Sequence, residues 1–479
     1  MSAGIVMALA AVLAVNLFTS FGGRDADTRA ATRDGQARPG APGSAGPALA
    51  LAPQMVVAVP QSDQPTPLPP SFLGLSTEYW SLPGDARHLA AFARVLALLH
   101  VPGDGPVILR VGGNSADHTI WTPRPRTMPR WVDELTPAWL HVARTVVHRA
   151  GVRLILDLNL ITASPSAAAR WAQAAQRDLP SRSIVGFEIG NEPDIYSRLF
   201  WVTRLSSLGL DASILPRDVT PLDYVRDFGS YARLLERFAP RVPLLGPAIA
   251  NPSSHAQWVS SLVAGMRAKL GMVSVHRYPY TACSAPDSPN YPTIQRLLSE
   301  HASAGMARSI AGVLAVAHRA GLPFRLTEVN SVTCGGLRGV SNAFATALWA
   351  PDALFELFRG GVDGVNLHVH TGSINAAFAF DRRGLVARPL LYGLIMFRRA
   401  LGTDPRLLHV QVRAGRRLHV RVWAVAVAGG GLHVLVIDKG SRAARVALRI
   451  PPDGPATVQR LLSPSVAASS GVTLAGQSL

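Results

Sequence analysis

The strongest constraint on this chain is an alternation between residues 72 and 368, where short branched apolar runs are separated by stretches with helical spacing. The runs cover 72–78, 107–111, 153–159, 183–189, 242–249, 272–276, 324–329 and 364–368. Helical spacing predicts helices over 86–100, 137–150, 166–177, 222–238 and 343–359, with a long or broken one over 294–320. Parallel strands need crossovers of this length, and strands apolar throughout are buried on both faces. Eight such units predict an α/β fold, a (β/α)8 TIM barrel over 72–385. An open doubly wound sheet would carry a glycine-rich phosphate turn after its first strand. Here that strand runs into Ser76-Thr77-Glu78-Tyr79-Trp80, which has none.

The flanks differ in character. Residues 4–21 are uncharged and strongly apolar, so 1–23 is expected to be a signal peptide or an N-terminal membrane anchor, and the chain to be exported. Residues 24–53, rich in Ala, Gly, Pro and Arg, read as a flexible linker. A short strand over 55–59 and a proline-rich connector make up 54–71. A polar and aromatic insertion covers 196–221. Past the barrel, alternation replaces the helical period over 408–412, 418–427, 432–437, 444–450 and 456–461, with Gly429-Gly430-Gly431 as a hairpin turn. That predicts a smaller C-terminal antiparallel β-sandwich over 386–479, with the strand at 55–59 as a further member. Residues 463–479 offer no evident closing strand, so the sandwich reads as incomplete.

The formal charge of +17 is carried almost wholly by arginine, since lysine occurs only at Lys269 and Lys439. Such a charge suits a nucleic acid, an anionic membrane surface or an acidic polymer. No dense basic run with interleaved aromatics is present, so no nucleic-acid partner is expected. The scattered arginines read as compositional bias, and an acidic sugar fits them equally. Cys283 and Cys334 form no CxxC pair, which excludes a cysteine-based zinc site. Both follow strands assigned to neighbouring barrel positions, so a disulfide and two free thiols stand as alternatives. His368 and His370 have i, i+2 spacing without a third ligand, and read as sugar contacts or packing. No metal and no cofactor is expected, and the oligomeric state is left open.

The fourth run ends in Gly190-Asn191-Glu192-Pro193, where Pro193 stops the ladder and leaves Glu192 at the rim. Glu328 ends the seventh run. Barrel enzymes keep their chemistry at the C-terminal ends of the strands. Two carboxyl groups there suit glycosidic bond hydrolysis, one protonated to assist the leaving oxygen and the other ionised. The competing reading for either is a strand-end carboxylate paired with an arginine. Glu188 shares a face with Glu192 by alternation but lies deeper, so it reads as structural.

Three motifs make a resemblance specific: Ile189-Gly-Asn-Glu-Pro-Asp194, Arg110-Val-Gly-Gly-Asn-Ser-Ala-Asp117 and Leu326-Thr-Glu-Val-Asn-Ser331. With Arg388-Pro-Leu-Leu-Tyr-Gly-Leu394, they make the chain similar to glycoside hydrolase family 79, the heparanase and β-glucuronidase family. The resemblance implies a barrel with a β-sandwich that includes a strand preceding the barrel. It implies a retaining exo-β-glycosidase acting on a β-glucuronide, with Glu192 as acid/base and Glu328 as nucleophile. Asn191 would bind the sugar 2-hydroxyl, and Tyr278 would hold the nucleophile ionised. Arg110 and Asn114 would lie at the pocket floor, with Glu78 and Asn159 reaching sugar hydroxyls. The alternatives are another sugar (a galactoside, xyloside or 4-O-methyl-glucuronide), endo action as in heparanase, or a non-catalytic carbohydrate-binding envelope protein.

Overall fold

Eight strands, β1 (Leu73–Glu78), β2 (Ile108–Gly112), β3 (Arg153–Leu158), β4 (Ile184–Ile189), β5 (Leu244–Ile249), β6 (Leu270–Arg277), β7 (Phe324–Val329) and β8 (Gly364–His368), form a closed barrel. Each is parallel to the next, and β8 pairs with β1. The computed structural model describes residues 9–14 as backbone, and 54–60, 64–124, 127–128, 132–196, 219–382, 384–414, 418–449 and 456–479. The linker at 24–53 and nearly all of the insertion at 196–221 lie outside the described residues.

Local sequence explains where the crossover helices start and stop. In Pro137–Ala150, Thr136 accepts the Trp139 amide, Pro137 opens the first turn, and Gly151 closes the helix at φ 65°. Pro221–Phe238 begins with a capping box in which Thr220 and Asp223 satisfy each other's amides. The stretch at 294–320 is broken into Ile294–Leu297, Ala304–Ser309 and Ala311–Arg319. A helix absent from the sequence reading, Ala256–Met266, completes the fifth unit.

The two ends of the barrel differ. At the N-terminal end Arg325, 2% exposed, donates to Asn366 Oδ1 at 2.6 Å and to the Ser71 carbonyl at 3.0 Å. A Cβ on Gly364 would lie 1.9 Å from its Nη1, so glycine is what lets the guanidinium plug the floor. The C-terminal end gathers Glu78, Arg110, Glu192, His276, Glu328 and His368.

Pro389–Leu401 packs on Ala345–Arg359, and a Cβ on Gly393 would come within 2.7 Å of Ala347 Cα. It supplies the helix after β8. The last strand of the barrel needs a covering helix as the others do.

Beyond it, the strand expected over 408–412 is two strands in different sheets. Arg406–Leu408 pairs with Val420–Val427, while Gln411–Ala414 pairs with Met55–Ala58. The intervening His409 and Val410 carry the chain from one sheet to the other. Met55–Ala58 also pairs with Val446–Arg449, and Val420–Val427 with Gly431–Asp438. Met55 and Val57 from one sheet meet Val420, Val434 and Val436 from the other in a common apolar cluster. The end of the chain does supply a short closing strand, Thr473–Leu474, antiparallel to Ala456–Leu462. Whereas the sequence reading set the N-terminal apolar run apart, the backbone of Leu9–Ala14 pairs in parallel with Gly431–Asp438 and Ala456–Leu462. Among the described residues, no helix is long and apolar enough to cross a membrane. The barrel and these sheets meet at the fully buried Asp352, which accepts from Lys439 Nζ at 2.6 Å and Trp423 Nε1 at 3.1 Å.

Candidate active site

After β4 the chain turns sharply. Gly190 adopts φ 78°, where a Cβ would lie 2.8 Å from Leu160 Cδ2, and Glu192 adopts φ 52°. A non-glycine residue in this region costs on the order of 1 kcal/mol and persists only where its surroundings hold it. They do so from two sides. The Glu192 amide donates to the Ala248 carbonyl at 2.9 Å. Asp194 accepts the amides of Ala250 (2.8 Å) and Asn251 (3.1 Å) and faces His255 Nδ1 at 2.8 Å, fastening the turn to the loop after β5.

Glu328 stands across the rim on β7. Its Oε2 accepts from Arg110 Nη1 at 2.8 Å and its Oε1 from the Tyr278 hydroxyl at 2.7 Å. Between the two glutamates lies His276, whose Nδ1 is 3.0 Å from Glu192 Oε1 and 3.9 Å from Glu328 Oε2. One oxygen from each glutamate and a nitrogen of His276 all fall within 4.8 Å of one another. Both carboxyl groups keep a partly open side, 16% exposed for the Glu192 side chain and 12% for Glu328.

The environments drive the two groups apart. Burial pushes the Glu192 carboxyl above its ordinary value, and the neighbouring charge of Glu328 adds to this, against the hydrogen bond from His276. Burial also works against ionisation of Glu328, but His368, His276, Arg110 and the Tyr278 hydrogen bond together hold it well below the ordinary range. Burial pushes His368 itself downward, and the Arg110 guanidinium is the fixed positive charge beside Glu328. Tyr278 is pushed well above 10 by burial and by Glu328, so its hydroxyl remains a donor. One carboxyl group shifted toward keeping its proton thus faces one shifted toward keeping its charge.

Arg110 organises the floor. Besides Glu328 it donates to Glu188 Oε2 at 2.8 Å, Asn191 Oδ1 at 2.9 Å and Ser76 Oγ at 3.3 Å, and lies 2.7 Å from Asp157 Oδ2. Asn191, oriented by this contact, donates one Nδ2 hydrogen to Asn114 Oδ1 at 3.3 Å and retains a second. Glu188 is fully buried on Arg110. Glu78 accepts the Ser115 amide at 2.8 Å, and its Oε1 lies 3.6 Å from His368 Nε2. His368 thereby spans Glu78 and Glu328, the latter 3.6 Å from its Nδ1, while His370 packs edge-on to Trp80.

Asn159 departs from its expected place among the sugar contacts. Its Oδ1 accepts the amides of Ile161 and Thr162, and its Nδ2 donates to Thr119 O and Thr162 Oγ1. An asparagine at a strand end that closes its own turn has no group left for a ligand. Cys283 and Cys334 are joined, with Cα atoms 6.0 Å apart, and tie together the loops that follow β6 and β7.

Three residues of this constellation were not nominated from the sequence: His276, Asp157 and Asp194. None of the three carried a usable signal in the sequence, since Tyr278, two positions after His276, already lies past the end of β6. Among the described residues, Glu192, His276 and Glu328 are the group whose atoms are gathered closely enough for a metal ion. The fixed charge of Arg110 against Glu328 opposes a cation there, and the opposite shifts of the two glutamates suit proton transfer instead.

No family model matches the chain. The chain is 26% identical over 345 residues to a beta-glucuronidase of Aspergillus niger, covering 65% of this chain. It spans about 60% of the length of that curated relative. Among solved structures, it resembles a 4-O-alpha-L-rhamnosyl-beta-D-glucuronidase from Fusarium oxysporum, with a TM-score of 0.65 and 17% identity over 88% of this chain and 92% of the other. An arabinofuranosidase of family 51 from Xanthomonas axonopodis pv. citri gives a TM-score of 0.61 at 15% identity, over 88% and 94% of the two chains. These likenesses show that the chain has the fold of these glycosidase barrels.

Proposed function

We propose that this chain is a retaining exo-β-glycosidase acting on β-glucuronides, of the glycoside hydrolase family 79 type. In the first step Glu328 attacks the anomeric carbon while Glu192 gives its proton to the departing oxygen, leaving a glycosyl ester on Glu328. In the second step Glu192, now a carboxylate, takes a proton from water as that water displaces Glu328. Arg110 and Tyr278 hold the attacking carboxylate ionised and aimed, and the free Nδ2 hydrogen of Asn191 is available to the 2-hydroxyl.

One observation carries this reading: the two glutamates, whose surroundings shift their carboxyl groups in opposite directions, each bring one oxygen within 4.8 Å of the other's. Retaining pairs are spaced at about 5–5.5 Å, whereas inverting pairs need about 6.5–9.5 Å to admit a water. The choice of a glucuronide is supported by the Aspergillus niger relative and agrees with the net charge of +17. We also propose that the paired C-terminal sheets form a separate β-sandwich domain. The Cys283–Cys334 bridge supports export to an oxidising compartment.

The test is hydrolysis of an aryl β-glucuronide by Glu192→Ala and Glu328→Ala. Both variants should lose turnover, azide should restore Glu192→Ala by replacing the activated water, and the first product formed should keep the β configuration. Undiminished hydrolysis by both variants, or a first product of α configuration, would sink the proposal.

A further inference from the structure

The catalytic scheme leaves two buried acids unused. Asp157 on β3 and Glu188 on β4 are register partners across the barrel wall, both with side chains fully shielded from solvent. Each gives one oxygen to Arg110, at 2.7 Å and 2.8 Å. Asp157 Oδ2 also accepts the Gly113 amide at 3.0 Å. The remaining oxygens, Asp157 Oδ1 and Glu188 Oε1, have no hydrogen-bond partner, and the two carboxyl groups stand side by side on paired strands and on one guanidinium. The backbone makes room for this arrangement, since a Cβ on Gly112 would fall 1.8 Å from Asp157 Oδ2.

Charge counting makes the contact informative. Arg110 carries one positive charge and faces three carboxyl groups, those of Asp157, Glu188 and Glu328. If all three were ionised, the site would bury a net charge of −2 with two carboxylate oxygens pressed together. Uncompensated charge in such an interior costs several kcal/mol per group, which a carboxyl group avoids by taking up a proton. A single proton held between the two carboxyl groups removes one charge and gives the pair a hydrogen bond of its own.

We propose that Asp157 and Glu188 share one buried proton and act as a positioning pair that keeps the charge of Arg110 available to Glu328. This rests on the reading of Glu328 as nucleophile. The electrostatics agree: burial pushes Asp157 well above the carboxylate range, whereas Arg110 brings Glu188 down to about 2 against its own desolvation. The other titratable groups facing the pair are His276 beside Glu188, and Tyr79 and Tyr224, which burial keeps neutral. Ser274 also borders Glu188, but no donor reaches Asp157 Oδ1. With the shared proton in place, Arg110 answers two carboxylates. Without it, a third would compete for the same guanidinium and the Glu328 carboxyl would rise toward its ordinary value.

Infrared difference spectroscopy on the full chain, with isotope-labelled aspartate, reads the proton directly. Wild type at neutral pH should show an aspartic-acid carbonyl band that disappears in Asp157→Asn. In Glu188→Gln the Asp157 side chain remains, but with its anionic partner gone it becomes the anion on Arg110, so the same band should vanish. A missing Asp157 band in wild type, or one that persists in Glu188→Gln, would overturn the proposal, and either variant alone decides it if the other fails to fold. A kinetic arm reads the consequence. Asp157→Asn leaves the charge around Arg110 unchanged, so the acid limb of kcat/KM should stay within about half a pH unit of wild type. Removal of an ionised Asp157 would instead move that limb down by about one unit or more. The infrared bands read the pair whether or not Glu328 attacks, so failure here is distinguishable from failure of the nucleophile assignment.

Discussion

Tyr278→Phe isolates one contact on the attacking carboxylate. The change removes a single oxygen, whose hydrogen bond to Glu328 Oε1 is 2.7 Å long, and leaves the ring in its 9% exposed site. A hydrogen bond to an ionised partner contributes about 1.5–3 kcal/mol. Its loss falls on the ionised form of Glu328, and one pKa unit corresponds to about 1.4 kcal/mol, so the carboxyl should rise by about 1–2 units. If the bond also aims the carboxylate in the transition state, kcat/KM on the plateau should fall about 10- to 150-fold. The assay is kcat/KM for an aryl β-glucuronide as a function of pH, with the melting temperature checking that the fold is intact. The acid limb should move upward. A variant whose acid limb is unmoved and whose kcat/KM stays within about threefold of wild type would refute the assignment of Tyr278 to Glu328.

Further outcomes follow from the same geometry. Because the Glu328 pKa is depressed, its active ionised form persists as pH falls through the ordinary carboxylate range, and the acid limb should lie below that range. Because the Glu192 pKa is raised, its active protonated form is lost only as pH rises past the ordinary glutamate value. Glu192→Gln should abolish the basic limb while sparing the first step for a good aryl leaving group, and a basic limb that survives would assign it to another group. Replacing both cysteines by serine opens a bridge that spans 51 residues, at a cost of about 3–4 kcal/mol. Melting temperature and kcat should both fall, since the bridge ties the loop after β6, which begins at Tyr278, to the loop after β7, the strand that bears Glu328; an unchanged melting temperature would contradict this.

The barrel was legible because buried parallel strands are written as uninterrupted apolar runs, and Phe324–Val329 and Gly364–His368 begin and end where the spacing places them. Glu188 was correctly read as deep, since alternation alone puts it inside the wall. The misreadings share a cause, which is that contacts between distant segments decide them. Asn159 looks like any polar strand-end residue, and the Thr119 carbonyl that takes its amide lies 40 residues away in the sequence. The Asp157–Glu188 contact depends on the register between two strands, which neither sequence run specifies. His276 is one histidine among 14, and only its neighbours across the barrel distinguish it. At 408–412, alternation predicts one strand where the chain leaves one sheet and enters another, because it cannot say where a chain changes sheets.

The proposed mechanism requires Glu328 to form a covalent bond to the sugar. A fluorinated glucuronyl fluoride, which reacts by the first step and then resists the second, tests this directly by peptide mass spectrometry. A single glucuronyl adduct on Glu328, absent from Glu328→Ala, is the predicted result. An adduct on Glu192, or none while the enzyme continues to hydrolyse aryl β-glucuronides, would contradict it.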